Sequence, residues 1–261
     1  LVIKNYIMKI LVIGDSCIDI FRYGEVNRLA PEAPVPIIKP EKETSCPGMA
    51  GNVVENLKAL GAEVEFVTNK KEIRKIRYVC SKYNHLLLRV DENDKCENIP
   101  LDTIDILNDH QLQLNNYFDA VVISDYNKGF LDVEDINHIS TSFPCPIFLD
   151  TKKELGDWCF NIDYIKINSQ EFDNSKSKID KSEILHSKII VTRGKHGCDY
   201  QGTNYPTTEV PVKDVSGAGD TFLAGLVVEY IKTNNIKSAI NFAQECTTKV
   251  VQQVGVSTIK N

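Results

Sequence analysis

Short apolar runs alternate with amphipathic stretches along most of the chain. Residues 9–13 form a compact apolar run that stops at Gly14-Asp15, the form of a buried parallel strand. Residues 35–39 follow Pro31 and Pro34, which suits an edge strand. Residues 51–61 place Val53, Leu57 and Leu60 at helical spacing and stop at Gly61, and residues 64–68 return to strand. The runs 76–80 and 86–90 flank Tyr83-Asn-His85, which predicts a hairpin. Further strands are predicted at 119–124, 147–150, 164–167 and 188–192, with helices within 101–114, 132–141 and 169–186 and a polar loop at 173–182. The chain closes on two helical stretches, 219–232 and 236–253. The second has Ile236, Ile240, Ala243, Thr247, Val250 and Val254 on one face. Such alternation predicts an α/β fold with a mostly parallel sheet covered on both faces. The strands near 25–46 and 76–90 are expected to form a small separate layer.

Composition narrows the class. At 261 residues, 42% of them hydrophobic and 25% charged, the chain suits one globular α/β domain over 8–261. A net charge of −6 argues against a nucleic-acid partner, though not against an anionic substrate in a locally basic pocket. Eight cysteines carry no C-x-x-C pair, which implies reduced thiols and a cytoplasmic setting. No apolar run approaches the ~18 residues of a membrane span. Residues 1–7 are too short and polar for a signal peptide and read as an upstream extension before Met8.

The strongest chemical signal is Asp214-Val-Ser-Gly-Ala-Gly-Asp220-Thr, followed at once by the apolar run 222–228. Gly217 and Gly219 permit a sharp turn with free N–H groups, and the helix start adds its own donors and dipole, making an anion site. A carboxylate beside such a site would repel a phosphate. Asp220 makes sense there if it removes a proton from a hydroxyl that attacks the phosphate. The alternative is a glycine-bearing cap with an acidic first turn. Walker A, H-E-x-x-H and G-x-S-x-G strings are missing, and the five histidines show no ligand-like clustering.

The string 214–221 resembles the C-terminal signature of the ribokinase/PfkB family of sugar kinases. The resemblance implies a ribokinase-like three-layer sandwich with a β-lid, Asp220 as catalytic base, and an anion hole at Gly217, Ala218 and Gly219. Gly14-Asp15-Ser-Cys-Ile-Asp19, the proline-rich segment 30–36 and Pro47-Gly48-Met-Ala-Gly-Asn52 are similar to the heptose 7-phosphate kinases within that family. This implies sugar contacts from Asp19, Gly48 and Asn52, and phosphorylation of D-glycero-β-D-manno-heptose 7-phosphate to the 1,7-bisphosphate. For Asp15 and Asp19 the alternative is turn capping. The family usually has Gly-Gly where this chain has Gly48-Met49. Arg77 and Arg89 match arginines of the heptose kinases and suit a phosphate clamp, with solvated strand arginines as the alternative. The segments Ser124-Asp-Tyr-Asn-Lys128 and Asp150-Thr-Lys152 resemble cleft-lining motifs, with Lys128 and Lys152 near phosphates.

Asn168-Ser-Gln-Glu171 resembles the family's N-x-x-E motif, which implies Mg²⁺ held with its waters near ATP; an ordinary helix cap is the alternative. Thr192-Arg193-Gly194-Lys-His-Gly197 resembles the nucleotide-binding turn, or simply a glycine-rich hairpin turn. The segment 241–250 matches the adenine-flanking helix, with Ala243-Gln-Glu-Cys246 in place of smaller residues, and Gly255-Val-Ser-Thr258 matches a closing Gly-Thr-Ser-Thr. After residues 66–70 a turn, a helix and a lid strand of the family pattern are missing, so the lid is expected to be reduced and a homodimer through it weakened. The resemblance thus implies an ATP- and Mg²⁺-dependent sugar kinase. The alternatives are a family kinase of another sugar or sugar phosphate, and a non-catalytic nucleotide- or sugar-binding relative.

Overall fold

A computed structural model describes residues 6–100, 102–114, 117–253, 255, 258 and 259, and within these the side chains of 110–114 are left out. Most of the expected extension at 1–7, Val254, and the middle of the Gly255–Thr258 segment lie outside the described residues.

The chain runs through β1 (Lys9–Gly14), β2 (Ser16–Leu29), β3 (Pro36–Met49), α1 (Ala50–Ala59), β4 (Glu63–Val67), β5 (Ile73–Cys80) and β6 (His85–Glu92). It continues with α2 (Thr103–Leu114), β7 (Ala120–Asp125), α3 (Val133–Ser142), β8 (Ile147–Thr151), β9 (Tyr164–Asn168), α4 (Ser169–Ile179), α5 (Glu183–Lys188) and β10 (Ile189–Thr192). A hairpin of β11 (Cys198–Tyr200) and β12 (Thr203–Tyr205) precedes α6 (Ala218–Thr233) and α7 (Ile236–Val250).

The central sheet has the order β12-β11-β10-β9-β8-β7-β1-β4, parallel from β10 to β4, with β11 and β12 as an antiparallel edge. β1, β7 and β8 at its centre are buried almost throughout because both faces are covered. Ile10 and Val12 of β1 pack with α1, α6 and α7, while Leu11 and Ile13 pack with residues of α2 to α5. This is the three-layer sandwich that the alternation predicts.

A second sheet, β3-β2-β5-β6, forms the lid. The sequence reading places lid strands at 25–46 and 76–90; the lid instead begins at Ser16, immediately after β1, and has four strands. β2 pairs with β3 and β5 from its first residues, and its buried residues (Cys17, Asp19, Ile20, Phe21, Gly24) follow no simple alternation. β3 is an edge strand, as its prolines require. The connection from β4 to β5 is five residues long and carries the chain straight from the central sheet to the lid.

The helical stretch 169–186 is two helices, and the segment expected as a loop at 173–182 is mostly the body of α4. That helix buries Glu171, Ser175 and Ile179, a four-residue spacing hidden because two of the three are polar.

Candidate active site

Gly14, Ser124, Asp150 and Lys166 are successive partners across β1, β7, β8 and β9, so four neighbouring strands end in one row. Ligands of open parallel sheets bind outside such carboxyl ends. β1 can lie this close to β7 only with glycine at its end: a Cβ on Gly14 would stand 1.9 Å from the Ser124 carbonyl oxygen. Lys166 Nζ donates to Asp150 Oδ2 at 2.5 Å, and both side chains are buried. The other oxygen, Asp150 Oδ1, is buried without a hydrogen-bond partner. Lys166 escapes the sequence reading, yet a lysine amid Tyr164-Ile-Lys-Ile-Asn168 is the available signal, since a lysine is rarely buried unless paired.

Asp220 lies over this row, in the first turn of α6. Gly217 caps the helix with φ 78°, a left-handed conformation natural to glycine. The turn is closed by Ala218 N–H donating to the Val215 carbonyl at 3.1 Å and Thr221 N–H to that of Gly217 at 3.0 Å. A Cβ on Gly219 would stand 2.9 Å from Lys166 Nζ, so the ammonium lies directly against the turn. The ammonium, the two glycines and the helix start thus meet at one point, where the helix N–H groups and a cation stand together.

Asp220 is 4% exposed. Oδ2 accepts from Asn52 Nδ2 at 2.8 Å and Oδ1 from the Tyr126 hydroxyl at 2.6 Å. Burial pushes its pKa up to about 6, against the opposing pull of those two hydrogen bonds; Asp150 adds to the rise and Lys166 offsets it. Such a group is ionised at neutral pH yet more basic than an ordinary carboxylate, which suits a general base. Asn52 is itself held by Asn56, whose Nδ2 donates to Asn52 O at 2.8 Å and Oδ1 at 3.1 Å.

The profile of the pfkB family of carbohydrate kinases matches residues 117–261, more than half of the chain. The chain belongs to that family. Among curated proteins it is similar to the bifunctional protein HldE of a Nitratiruptor species, 32% identical, with 96% of this chain and 63% of the relative covered. The bifunctional protein HldE of Psychromonas ingrahamii is 28% identical, with 96% and 62% covered. The chain therefore spans somewhat under two thirds of the length of these relatives. Among solved structures, phosphofructokinase-2 from Escherichia coli superposes with a TM-score of 0.74 at 13% identity, covering 98% of this chain and 96% of that one. Arabidopsis thaliana ribokinase complexed with ribose and ATP gives 0.68 at 15%, covering 98% and 96%. At these identities the structural likeness establishes the ribokinase-like fold.

In this pfkB-family chain the lid side gathers Asp19, Gly48 and Arg77. Asp19 and Arg77 form an ion pair, and the Arg77 guanidinium stands 5.1 Å from the centroid of the Phe21 ring. A Cβ on Gly48 would meet Asp19 Oδ2 at 2.1 Å. Arg89 is the cross-strand partner of Arg77, and it is neutralised by Asp91 through two bonds of 2.6 Å. Lys128 pairs with Asp94 at 2.7 Å. Met49, at the position where the family pattern has glycine, has φ 57° and ψ −133°, a strained conformation for a side-chain-bearing residue. It packs with Cys17, Ile73 and Tyr126. Asp15 takes the turn-organising role: its carboxylate accepts the N–H groups of Tyr126 (2.7 Å) and Phe130 (3.2 Å).

On the other side of Asp220, a cleft of about 120 Å³ is lined by Thr192, Gly194, Gly197, Ala218 and Gly219, with Phe222 and Gln244 at its back. A groove of about 530 Å³ continues past Thr207 and Gln244. Gln244 Nε2 donates to the carbonyl of Tyr205 at 3.0 Å, so the bulkier residue of α7 is tied to the β12 side of this groove. Arg193 is turned toward Asp199 and the Phe172 ring and is not among the residues lining the cleft. Asn168 and Glu171 form a reciprocal capping box at the start of α4, so the capping alternative is realised in full. Glu171 also meets Lys152.

Among the described residues no group of three or more acidic, histidine or cysteine side chains gathers into a metal cage. Magnesium in phosphoryl-transfer sites takes one or two carboxylates plus phosphate oxygens and water. The unpartnered oxygen of Asp150 fits that donor set.

Proposed function

We propose that the chain transfers the γ-phosphoryl group of ATP to a sugar hydroxyl, with Asp220 as general base. The observation that carries this reading is the Asp220 carboxylate itself: buried, held by Asn52 and Tyr126, and set on the helix start that also borders the cleft at Ala218 and Gly219. The acceptor hydroxyl gives its proton to Asp220 as its oxygen bonds to the γ-phosphorus, and the bond from that phosphorus to the bridging oxygen of ADP breaks. Lys166 and the turn amides of Gly217 and Gly219 offset the charge on the phosphoryl oxygens; the Ala218 N–H, expected to join them, is held by the Val215 carbonyl instead. Asp150, with Glu171 through water, would hold Mg²⁺, which supplies charge neutralisation on the nucleotide phosphates when bound. Thr192, Gly194 and Gly197 border the phosphates, and Arg193 supports that turn through Asp199.

Within this reading the acceptor is D-glycero-β-D-manno-heptose 7-phosphate, converted to the 1,7-bisphosphate. The motifs from Gly14 to Asn52, and similarity to proteins named HldE, support it. Asp19, Gly48 and Asn52 contact the sugar. Arg77, Arg89 and Lys128 face the substrate phosphate, exchanging their acidic partners for it. Met49 favours a second reading, a different sugar phosphate, because a side chain occupies a glycine position beside the acceptor site. A homodimer through the lid belongs to the same proposal. Leu29, Leu86 and Leu88 supply exposed apolar surface on the lid strands, and light scattering of the purified chain tests it.

The deciding experiment is ADP release with Mg·ATP across heptose, hexose and pentose phosphates, with ³¹P NMR of the product. Fastest turnover on the heptose 7-phosphate, with a new anomeric phosphate, is the expected result. Preference for another sugar phosphate assigns the second reading. Binding without turnover of any sugar leaves a non-catalytic relative.

A further inference from the structure

The side chain touching Asp220 from the sheet lies in a segment that the sequence motifs read only as cleft-lining. Tyr126 follows directly after β7 and is fixed at its backbone by Asp15, which accepts its N–H at 2.7 Å. Its hydroxyl donates to Asp220 Oδ1 at 2.6 Å. Its ring has Lys75 Nζ 5.4 Å and Lys152 Nζ 5.3 Å from the centroid. These two lysines come from different parts of the fold. Lys75 is a buried residue of lid strand β5, and Lys152 follows β8 and bonds Glu171 at the start of α4. Ammonium groups at this distance from an aromatic ring are attracted to it, more strongly where water is excluded. One tyrosine therefore touches the base, the lid and the phosphate side at once.

We propose that Tyr126 is the positioning residue of the general base, fixing the Asp220 carboxylate through its hydroxyl and linking that bond to the lid through Lys75. The inference rests on Asp220 being the base. Rotation about the Asp220 side chain is blocked from two directions: Asn52 holds Oδ2 and Tyr126 holds Oδ1. Each carboxylate oxygen keeps a second lone pair, so the acceptor hydroxyl can still be bonded. Burial, then the neighbouring Asp220 charge, keeps the phenol protonated well beyond the neutral range, so it acts as a donor rather than as a rival base. The groups facing Asp220 are Tyr126, Asn52, Asp150 and Lys166, and Lys152 lies nearby on the Tyr126 ring.

The conservative variant Tyr126→Phe keeps the ring and both lysine contacts and removes only the hydroxyl. Asp220 then loses a hydrogen bond to its ionised form, so its titration moves up, by about one pH unit. The readout is the ¹³C carboxyl resonance of Asp220, assigned by its disappearance in Asp220→Asn, followed over pH 4–9 in the whole protein without sugar. The expected result is a midpoint near the wild-type value of about 6 moving upward in Tyr126→Phe. Lys75→Met, with the hydroxyl intact, is expected to move it less, while weakening acceptor affinity several-fold more than ATP affinity. A midpoint unchanged in Tyr126→Phe overturns the proposal, whatever happens to stability. This titration needs no turnover, so it is separable from the proposed activity: a shifted midpoint in a chain that phosphorylates no sugar sinks the kinase reading and leaves the positioning contact standing.

Discussion

Lys166 and Asp150 face each other across β8 and β9 as direct strand partners, joined by a 2.5 Å bond and both shut away from water. A buried pair of this kind adds little net stability over an apolar pair, but removing one partner strands the other charge. Lys166→Met is therefore expected to destabilise the protein by about 3–5 kcal/mol and to abolish turnover. The double variant Lys166→Met with Asp150→Leu should recover most of the stability and none of the activity. Chemical denaturation together with ADP release distinguishes these outcomes. Recovery of turnover in the double variant would show that the pair serves folding alone.

Gly219 tests the same cation from the opposite side. Its missing side chain leaves room for Lys166 Nζ, which a Cβ would approach to 2.9 Å. The obstructing atom is the tip of a flexible side chain, so Gly219→Ala is expected to fold with nearly unchanged Tm. Displacement of the ammonium from the turn should nevertheless cost about 10–100-fold in kcat, as misplacement of a charge-stabilising group does. Gly14→Ala is the contrasting control, because there a Cβ meets the Ser124 backbone at 1.9 Å and the fold itself must give way.

On the lid side, Gly48→Ala is expected to separate sugar binding from nucleotide binding. The added methyl would lie 2.1 Å from Asp19 Oδ2 and 2.7 Å from Cys17 Sγ, so Asp19 must swing away from its place beside Arg77. Loss of a charged hydrogen bond to the acceptor costs about 1.5–3 kcal/mol, which corresponds to roughly 10–100-fold in acceptor KM. ATP affinity by calorimetry should be unaltered. An equal loss for both ligands would argue that Gly48 acts on the fold.

The parts of this molecule that are legible in the sequence share a physical simplicity. β1, β7 and β8 are buried on both faces, so they read as largely apolar runs, and the glycine spacing at 217–219 announces the turn before Asp220. β2 is hidden because its buried residues, Cys17, Asp19, Ile20, Phe21 and Gly24, follow no single alternation. Most of α4 reads as loop because its buried stripe contains Glu171 and Ser175, polar groups whose partners are invisible in one dimension. The Tyr126 contact with Asp220 joins residues 94 positions apart, and nothing in the local spacing of either residue encodes it.

The raised pKa of Asp220 carries a stability consequence with a definite sign. A carboxyl whose folded pKa is about 6, against an ordinary value of 3.8, is destabilising wherever it must be ionised in the fold. Well below pH 4 both states hold the proton and there is no penalty; as pH rises through about 6 the penalty grows to its full size. The gap of roughly two pH units corresponds to about 3 kcal/mol. Asp220→Asn cannot ionise. Its amide can accept from Asn52 and donate to the Tyr126 oxygen, since the phenol hydrogen is free to rotate away. The variant is therefore expected to lose at least about 100-fold in turnover, as befits removal of a general base. At pH 8 it should also be more stable than wild type by up to about 3 kcal/mol, on the order of 6–10 °C in Tm. That advantage should shrink steadily below pH 6 and vanish near pH 4. Differential scanning calorimetry of both proteins across pH 4–8 measures it. A pH-independent difference in Tm would mean that the carboxyl titrates at its ordinary value and that burial has not tuned it for proton removal.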